Sequence, residues 1–598
     1  MRAPLPIRPA FGFLDVDEYV ASLLHFITSE DLFQKLCGGV HILDFLTQEP
    51  DLYTTLLPES WAEWFHGREI SEVLDLVMRE QSLELECLRT NDLDQCTIGW
   101  RGGPSPPTSL IDYILSIRKY SLDRRYIRRK RRKDPRGNKP GHDLSLPQHV
   151  AVGMKSKKIH EVENFAEYIH DLIVDIDESE SHKITHVIDF GSGQNYLGRA
   201  LASPPLCKRV VALESKQHNI KGAKTMDVAA KLVKKEKIIR NKKVYRHGSL
   251  KSNTQSAVIE HSDCTSDSIT PKYTTLSEKN GLLDGTGSID YIEKFIADGD
   301  LSDIVTHIES SANTRTNVSE TPPQLMVMSL HSCGNLLHHG VRSLILNPTV
   351  KAIAMVGCCY NLVTERLGPP TYKLPSLRSS HPRLQQTSSA YDPHGFPMSE
   401  KMASYQHHRG RGIRLNITAR MMAVQAPENW TSTECESFFT RHFYRAVLQR
   451  ILLDRGVVGK PVNSGVEETS PQGWTGAGPA LTIGSLRKAC YTSFVAYVRG
   501  AVAKLAVDPD RGTDIARRME NLTDEAITSY ETKYQAKKKE LSIVWSLMAF
   551  SASVVEATIL TDRWLYLKEQ KEVKDAWVET VFDYKQSPRN LVVVGIKY

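Results

Sequence analysis

Between His149 and Tyr360 short apolar runs of β type alternate with helical segments, and each run ends in turn-forming residues. The runs are THVIDFGSG and KRVVALES, followed by LMVMSLHSCG and VKAIAMVGCCY. Alternation of this kind implies right-handed crossovers and a parallel sheet covered on both faces. Such a sheet collects ligands at the carboxyl ends of its strands. The predicted fold class is therefore α/β, a doubly wound, Rossmann-like sheet, and the residues that end the four runs should converge.

A chain of 598 residues exceeds one ordinary compact domain. The reading divides it into a helical N-terminal region (1–120), a basic linker (121–148) and the sheet-bearing domain (149–598). Polar insertions rich in Ser, Thr, Pro or Gly are expected near 252–286, 368–408 and 459–478. Helical patterns recur around Lys488–Ala506 and Val544–Lys568, and the terminal LVVVGIKY is expected to return to the sheet as a strand. The apolar stretch Val544–Leu560 is interrupted by Ser546, Ser551, Ser553 and Glu556, so it reads as a buried core helix with no membrane role. No secretory address is visible. The ten cysteines follow no disulfide or finger spacing, so a reducing compartment, cytoplasm or nucleus, is expected. A net charge of +6 over so large a surface makes no strong field.

The turn VIDFGSGQNYLG places Asp189 at a strand end before Gly191, Ser192 and Gly193. Glycines spaced by one let backbone approach a ligand and offer amides from a helix start. The dinucleotide pattern G-x-G-x-x-G fails at Tyr196, which favours S-adenosylmethionine, a cofactor without a pyrophosphate. The second run ends at Glu214, 23 positions after Gly191, where nucleotide-binding sheets place an acid for ribose hydroxyls. The plain alternatives are a structural tight turn and a solvated glutamate.

The third and fourth runs end in His331-Ser332-Cys333-Gly334-Asn335 and Gly357-Cys358-Cys359-Tyr360-Asn361. Adjacent cysteines do not readily span a tetrahedral site together, so no metal is assigned. A nucleophilic Cys lacks support, and Cys is often only a small buried residue. The expected roles are pocket shape for Cys358 and Cys359, stacking or hydrogen bonding to substrate for Tyr360, and a base for His331. Upstream, GMKSKKIHEVENFAEYI opens a helix with Lys157, Lys158, His160 and Glu161. It is either a solvated face or the source of a lysine for a cofactor carboxylate or substrate phosphate.

These motifs resemble the methyltransferase-like protein twenty-five family, which includes relatives named for a ribosomal RNA adenine dimethylase domain. The resemblance extends through GFPMS, ARMMAVQAPENW, SFVAYVRGAV, VVEATILTDRWLYLKEQ and SPRNLVVVG. It implies a class I, S-adenosylmethionine-dependent methyltransferase fold, with Asp189, Gly191, Gly193 and Glu214 in the cofactor positions and Ser192 and Lys158 beside them. Where the family reads Gly-Ser-Gly-Lys-Gly, this chain has Gly191-Ser192-Gly193-Gln194-Asn195, one positive charge fewer. Similar LHSCG and CC-aromatic motifs in tRNA ribose methyltransferases point the substrate expectation toward RNA. The run containing Arg124, Arg125, Tyr126, Arg128, Arg129, Lys130, Arg131, Arg132 and Lys133 then becomes a candidate phosphate-contacting arm; a nuclear-localisation signal or a solvated linker are equal readings. The competing functional class is a non-catalytic protein of the same fold that holds RNA or a protein partner.

Overall fold

The computed structural model describes residues 2–39, 42–48, 50–90, 100–127, 146–179, 183–233, 272–274, 287–313, 322–367, 392–459, 481, 483–509 and 511–598. Its centre is an eight-stranded sheet. The strands in chain order are β1 (His186–Phe190), β2 (Arg209–Glu214), β3 (Lys272–Thr274), β4 (Ser288–Glu293), β5 (Leu325–Ser332) and β6 (Val350–Gly357), followed, after a two-residue pair β7 (Gln406–His407) and β8 (Gly410–Arg411), by β9 (Val573–Thr580) and β10 (Leu591–Lys597). The spatial order is β3-β4-β2-β1-β5-β6-β10-β9. Strands β4, β2, β1, β5 and β6 run parallel, and β10 enters antiparallel between β6 and β9.

Near-continuous apolar sequence in β1, β5 and β6 follows from burial on both faces. Val187, Met326, Met328, Ala354 and Val594 face one core with Phe165, Ile169 and Ile173 of the Ser156–Ser179 helix. Ile188, Phe190, Val327, Met355 and Val593 face the other. That second core is shared with helices from both ends of the chain. Tyr113 Oη and Ser551 Oγ meet at 2.7 Å, as do Ser121 Oγ and Ser553 Oγ, so the Thr108–Tyr120 helix and the residue after it pack onto the sheet domain.

All four apolar runs form strands, and the terminal run returns to the sheet as expected. The Lys537–Lys568 helix is apolar and long enough to cross a membrane, yet 89% of its apolar window is buried within the protein. It carries buried residues on every side, as a central core helix does.

Three differences from the sequence reading stand out. Strand β4 escaped notice because SIDYIE alternates polar and apolar residues, as a flank strand does. Strand β3 lies inside the insertion expected at 252–286 and pairs antiparallel with β4; the other residues from 252 to 286 lie outside the described residues. The insertion expected at 368–408 ends earlier, since from 392 onward the chain is folded. Asp562 accepts the N–H groups of Met398 and Ser399 at 2.7 and 2.9 Å, and Phe396 and Met402 are buried. Residues 460–478, nearly all of the third insertion, and Arg128, Arg129, Lys130, Arg131, Arg132 and Lys133 are outside the described residues.

Candidate functional site

Chain order fixes where the site forms. From β1 the chain moves outward to β2 and β4, then restarts on the other side of β1 at β5, so the crevice lies at the carboxyl ends of β1, β2 and β5. At that edge Gly191 (φ 68°) and Gly193 (φ 57°) adopt the left-handed conformation that L side chains resist. A Cβ on Gly191 would stand 2.9 Å from Leu336 Cδ2, whereas one on Gly193 would meet nothing within 4 Å. The open space over Gly193 is where a ligand can lie against the backbone.

Glu214 ties this loop to β2. Its two carboxylate oxygens accept the N–H groups of Gly193 and Lys216, each at 2.9 Å. Each oxygen keeps a lone pair for a hydroxyl donor. Asp189 is buried beneath the loop, and burial, reinforced by the charge of Glu214, pushes its carboxyl up to about 8. The loop also rests on a buried relay that the sequence reading did not find. Asn195 Nδ2 donates to Tyr291 Oη at 2.9 Å, and Tyr291 donates to Asp227 at 2.6 Å. Asp227 in turn pairs with Arg199 at 3.1 Å. They come from three elements, the Tyr196–Ala202 helix with its N-cap Asn195, the Gln217–Ala229 helix and β4, and only their convergence reveals them.

The loop also has donor and acceptor capacity to spare. Among the described residues the buried Ser192 Oγ, Gln194 Oε1 and Asn195 Oδ1 have no hydrogen-bond partner. Asn195 Oδ1 lies against Gly198 and Gln194 Oε1 against Gly222, which leaves Ser192 Oγ beside the glycine turn for a polar ligand such as S-adenosylmethionine. Gln194, the departure from the family pattern, turns its amide toward Asn219 at 3.2 Å.

A second cluster stands at the end of β5. Glu161 is almost fully buried and receives Lys158 Nζ at 2.6 Å and His331 Nε2 at 3.1 Å on one oxygen, and Ser587 Oγ at 2.8 Å on the other. Burial alone would raise this carboxyl, but the His331 and Lys158 contacts outweigh it and hold Glu161 down at about 2. Lys158 Nζ lies 2.5 Å from His331 Nε2. Lys158, expected at the cofactor, is bound to Glu161 beside His331.

Tyr360 requires correction. Its ring is buried with the guanidinium groups of Arg563 and Arg589 at 5.5 and 5.6 Å, and its hydroxyl donates to Glu556 at 2.7 Å. Neither face nor hydroxyl is offered to a substrate. Arg124 is likewise engaged internally, with Glu556 and with Asn590 at 3.1 Å. Arg125 pairs with Asp123 at 2.6 Å, and Tyr126 donates to Asn164 at 2.9 Å.

Cys358 and Cys359 do line the edge of the sheet, together with Cys333 from the β5 loop. The sulfurs stand 3.3 Å (333–358), 3.4 Å (333–359) and 3.5 Å (358–359) apart. The other two thiols donate to Cys359 and hold it well below the ordinary thiol range, while the same contacts push Cys358 up. Reading Cys358 and Cys359 as an adjacent pair missed this trio because its third member is 25 positions away, on the neighbouring strand.

Residues 157–366 match a family model described as a methyltransferase domain. Over 301 residues, half of this chain, the sequence is 27% identical to the human protein named probable methyltransferase-like protein 25, and equally to its mouse counterpart. The chain is thus similar to methyltransferase-like protein 25 and carries a methyltransferase domain. Its match spans 39% of the human relative and 40% of the mouse one. No solved structure matches. The methyltransferase-domain match ends at 366, yet β9 and β10 complete the same sheet two hundred residues later. The described helices between 400 and 568 are therefore set between strands of the same sheet.

Proposed function

We propose that this protein is an S-adenosylmethionine-dependent methyltransferase whose acceptor is RNA. The observation that carries the cofactor reading is the loop over β1: open space at Gly193, an unpaired Ser192 oxygen, and Glu214 positioned under the same turn. When bound there, S-adenosylmethionine supplies an activated methyl group, so the protein needs mainly to align an acceptor and exclude water.

In this reading Gly191 and Gly193 admit the ligand against the backbone, while Glu214 accepts its hydroxyl donors with the lone pairs left free by Gly193 and Lys216. Asp189 holds the floor of the loop. On the acceptor side, Glu161 fixes Lys158 and His331 in one cluster, and the imidazole can take a proton from an acceptor while the lysine charge stays balanced by Glu161. Support for RNA comes from the LHSCG and CC-aromatic resemblance and from the basic run Arg128–Lys133; Arg124, being engaged with Glu556, contributes to the fold rather than to phosphate contact.

Calorimetric titration of S-adenosylmethionine into the wild type and Gly193→Arg tests the cofactor reading. Saturable binding by the wild type alone supports it. Binding followed by methyl label appearing in RNA supports the acceptor class, whereas label in protein redirects it. Absence of binding in both proteins makes the non-catalytic binding protein the better reading.

A further inference from the structure

We propose that Cys333, Cys358 and Cys359 together bind a single zinc ion through three thiolates, leaving a fourth coordination position open. The three sulfurs are mutually in contact at 3.3–3.5 Å, and their ligand atoms form the one three-member His, Cys, Asp or Glu group of metal-binding geometry among the described residues. Zinc–sulfur bonds of about 2.3 Å in a tetrahedron set sulfurs about 3.8 Å apart. Each sulfur therefore needs to move outward by only a few tenths of an ångström. An iron–sulfur cluster would need its cysteines spread around several metal atoms, which sulfurs in contact do not offer. A disulfide would use two of the three and leave no reason for the third.

The backbone holds this arrangement. Cys358 N–H donates to the Ser332 carbonyl at 3.3 Å, and Gly334 N–H donates to the Cys359 carbonyl at 3.2 Å. The loops after β5 and β6 are thus tied to each other on both sides of the sulfurs. Cys333 is exposed and the other two are half-buried, so the side away from the sheet is open to a water or to a nitrogen or sulfur donor.

A second observation points to the same charge. Arg563 is 1% exposed, and its Nε and Nη1 have no hydrogen-bond partner among the described residues. A buried guanidinium left partly unpaired is costly unless negative charge lies nearby. Arg563 lies among Tyr360, Asp562 and Glu556, with Cys358 also within electrostatic reach. Zinc with three thiolates carries a net charge of −1, which Arg563 would help to balance. The site stands on the thiols and Arg563 and does not depend on methyl transfer. Where the proposed function also holds, the open position lies on the acceptor side of the crevice and takes a nitrogen or oxygen donor of the acceptor.

The test is elemental analysis by mass spectrometry of the full chain purified under reducing conditions without chelator, alongside Cys333→Ser, Cys358→Ser, Cys359→Ser and a control, Cys490→Ser. About one zinc per chain is expected in the wild type and control, with loss in each of the three variants while circular dichroism stays unchanged. Because a variant can lose metal by misfolding, the wild type is also stripped and reloaded with cobalt(II); sulfur-to-cobalt charge-transfer absorption from three thiolates is expected. Absence of zinc together with absence of that absorption overturns the proposal. So does a Cys333 disulfide to either neighbour after reducing purification, or zinc retained when all three cysteines are replaced.

Discussion

Glu214 carries the Gly193 N–H on one carboxylate oxygen at 2.9 Å, so the acid that would meet a ribose also sets the shape of the loop above it. Replacing Glu214 by Ala removes both roles. Cofactor affinity should fall by about 1.5–3 kcal/mol, the range for a charge-assisted contact, and the melting temperature should fall with it. Glu214→Gln keeps one acceptor oxygen for the loop and should recover most of the melting temperature with little of the affinity. Calorimetry and thermal unfolding separate the two losses.

Gly193→Arg and Gly191→Ala should fail in different ways. The first places its Cβ in open space, so the protein stays folded, with a backbone cost of about 1–2 kcal/mol, and loses cofactor binding. The second drives a methyl against Leu336 at the same backbone cost, and destabilisation should exceed that of the first variant in chemical denaturation.

Asp189 and Glu161 predict opposite pH dependences. Asp189 is raised to about 8, so between about pH 4 and 8 the folded state holds a proton that the unfolded chain has lost, and stability falls as pH rises through that window. Asp189→Asn should flatten this slope and be more stable than wild type above pH 8. Glu161 is lowered to about 2, so its contribution is complete above about pH 4.5 and is lost as pH falls toward 2. Glu161→Gln should remove that acid-side loss and cost about 1.5–3 kcal/mol at pH 7. Urea midpoints measured from pH 3 to 9 check both signs.

Tyr360→Phe should cost stability without altering acceptor chemistry. The lost hydroxyl leaves buried Glu556 short of one donor, a penalty of about 1–3 kcal/mol. If turnover per folded molecule falls with an unchanged melting temperature, the placement of Tyr360 behind the pocket is wrong.

Deleting Arg128–Lys133 should lower RNA affinity and flatten its dependence on salt, because each lost phosphate contact removes about one unit of the logarithmic salt slope. Filter binding across a salt series measures this. An unchanged slope would exclude the arm from RNA contact.

The fold was legible wherever strands were buried on both faces. The HVIDF, VVALE and LMVMSL runs admit little else, and their turn residues located the crevice. Half-polar β4 and the short edge strand β3 carry no such signal, because a strand at the flank need bury only part of itself. At the site, Asp189, Gly191, Gly193 and Glu214 could be read locally, since one turn and one strand end define them. Cys333 with Cys358, Glu161 with His331, and Tyr291 with Asn195 could not, because each pair is joined only when distant strands and helices meet. Tyr360 misled for the same reason: its partner Glu556 lies 196 positions later.

The insertion of β10 between β6 and β9 has a consequence during synthesis. Until residues 591–597 leave the ribosome, β6 and β9 each present a row of unpaired backbone groups, and the edge of a half-built sheet invites pairing with other chains. A nascent chain therefore carries two sticky borders until β10 has been made, and a truncation shortly before Leu591 would turn that transient hazard into a permanent one.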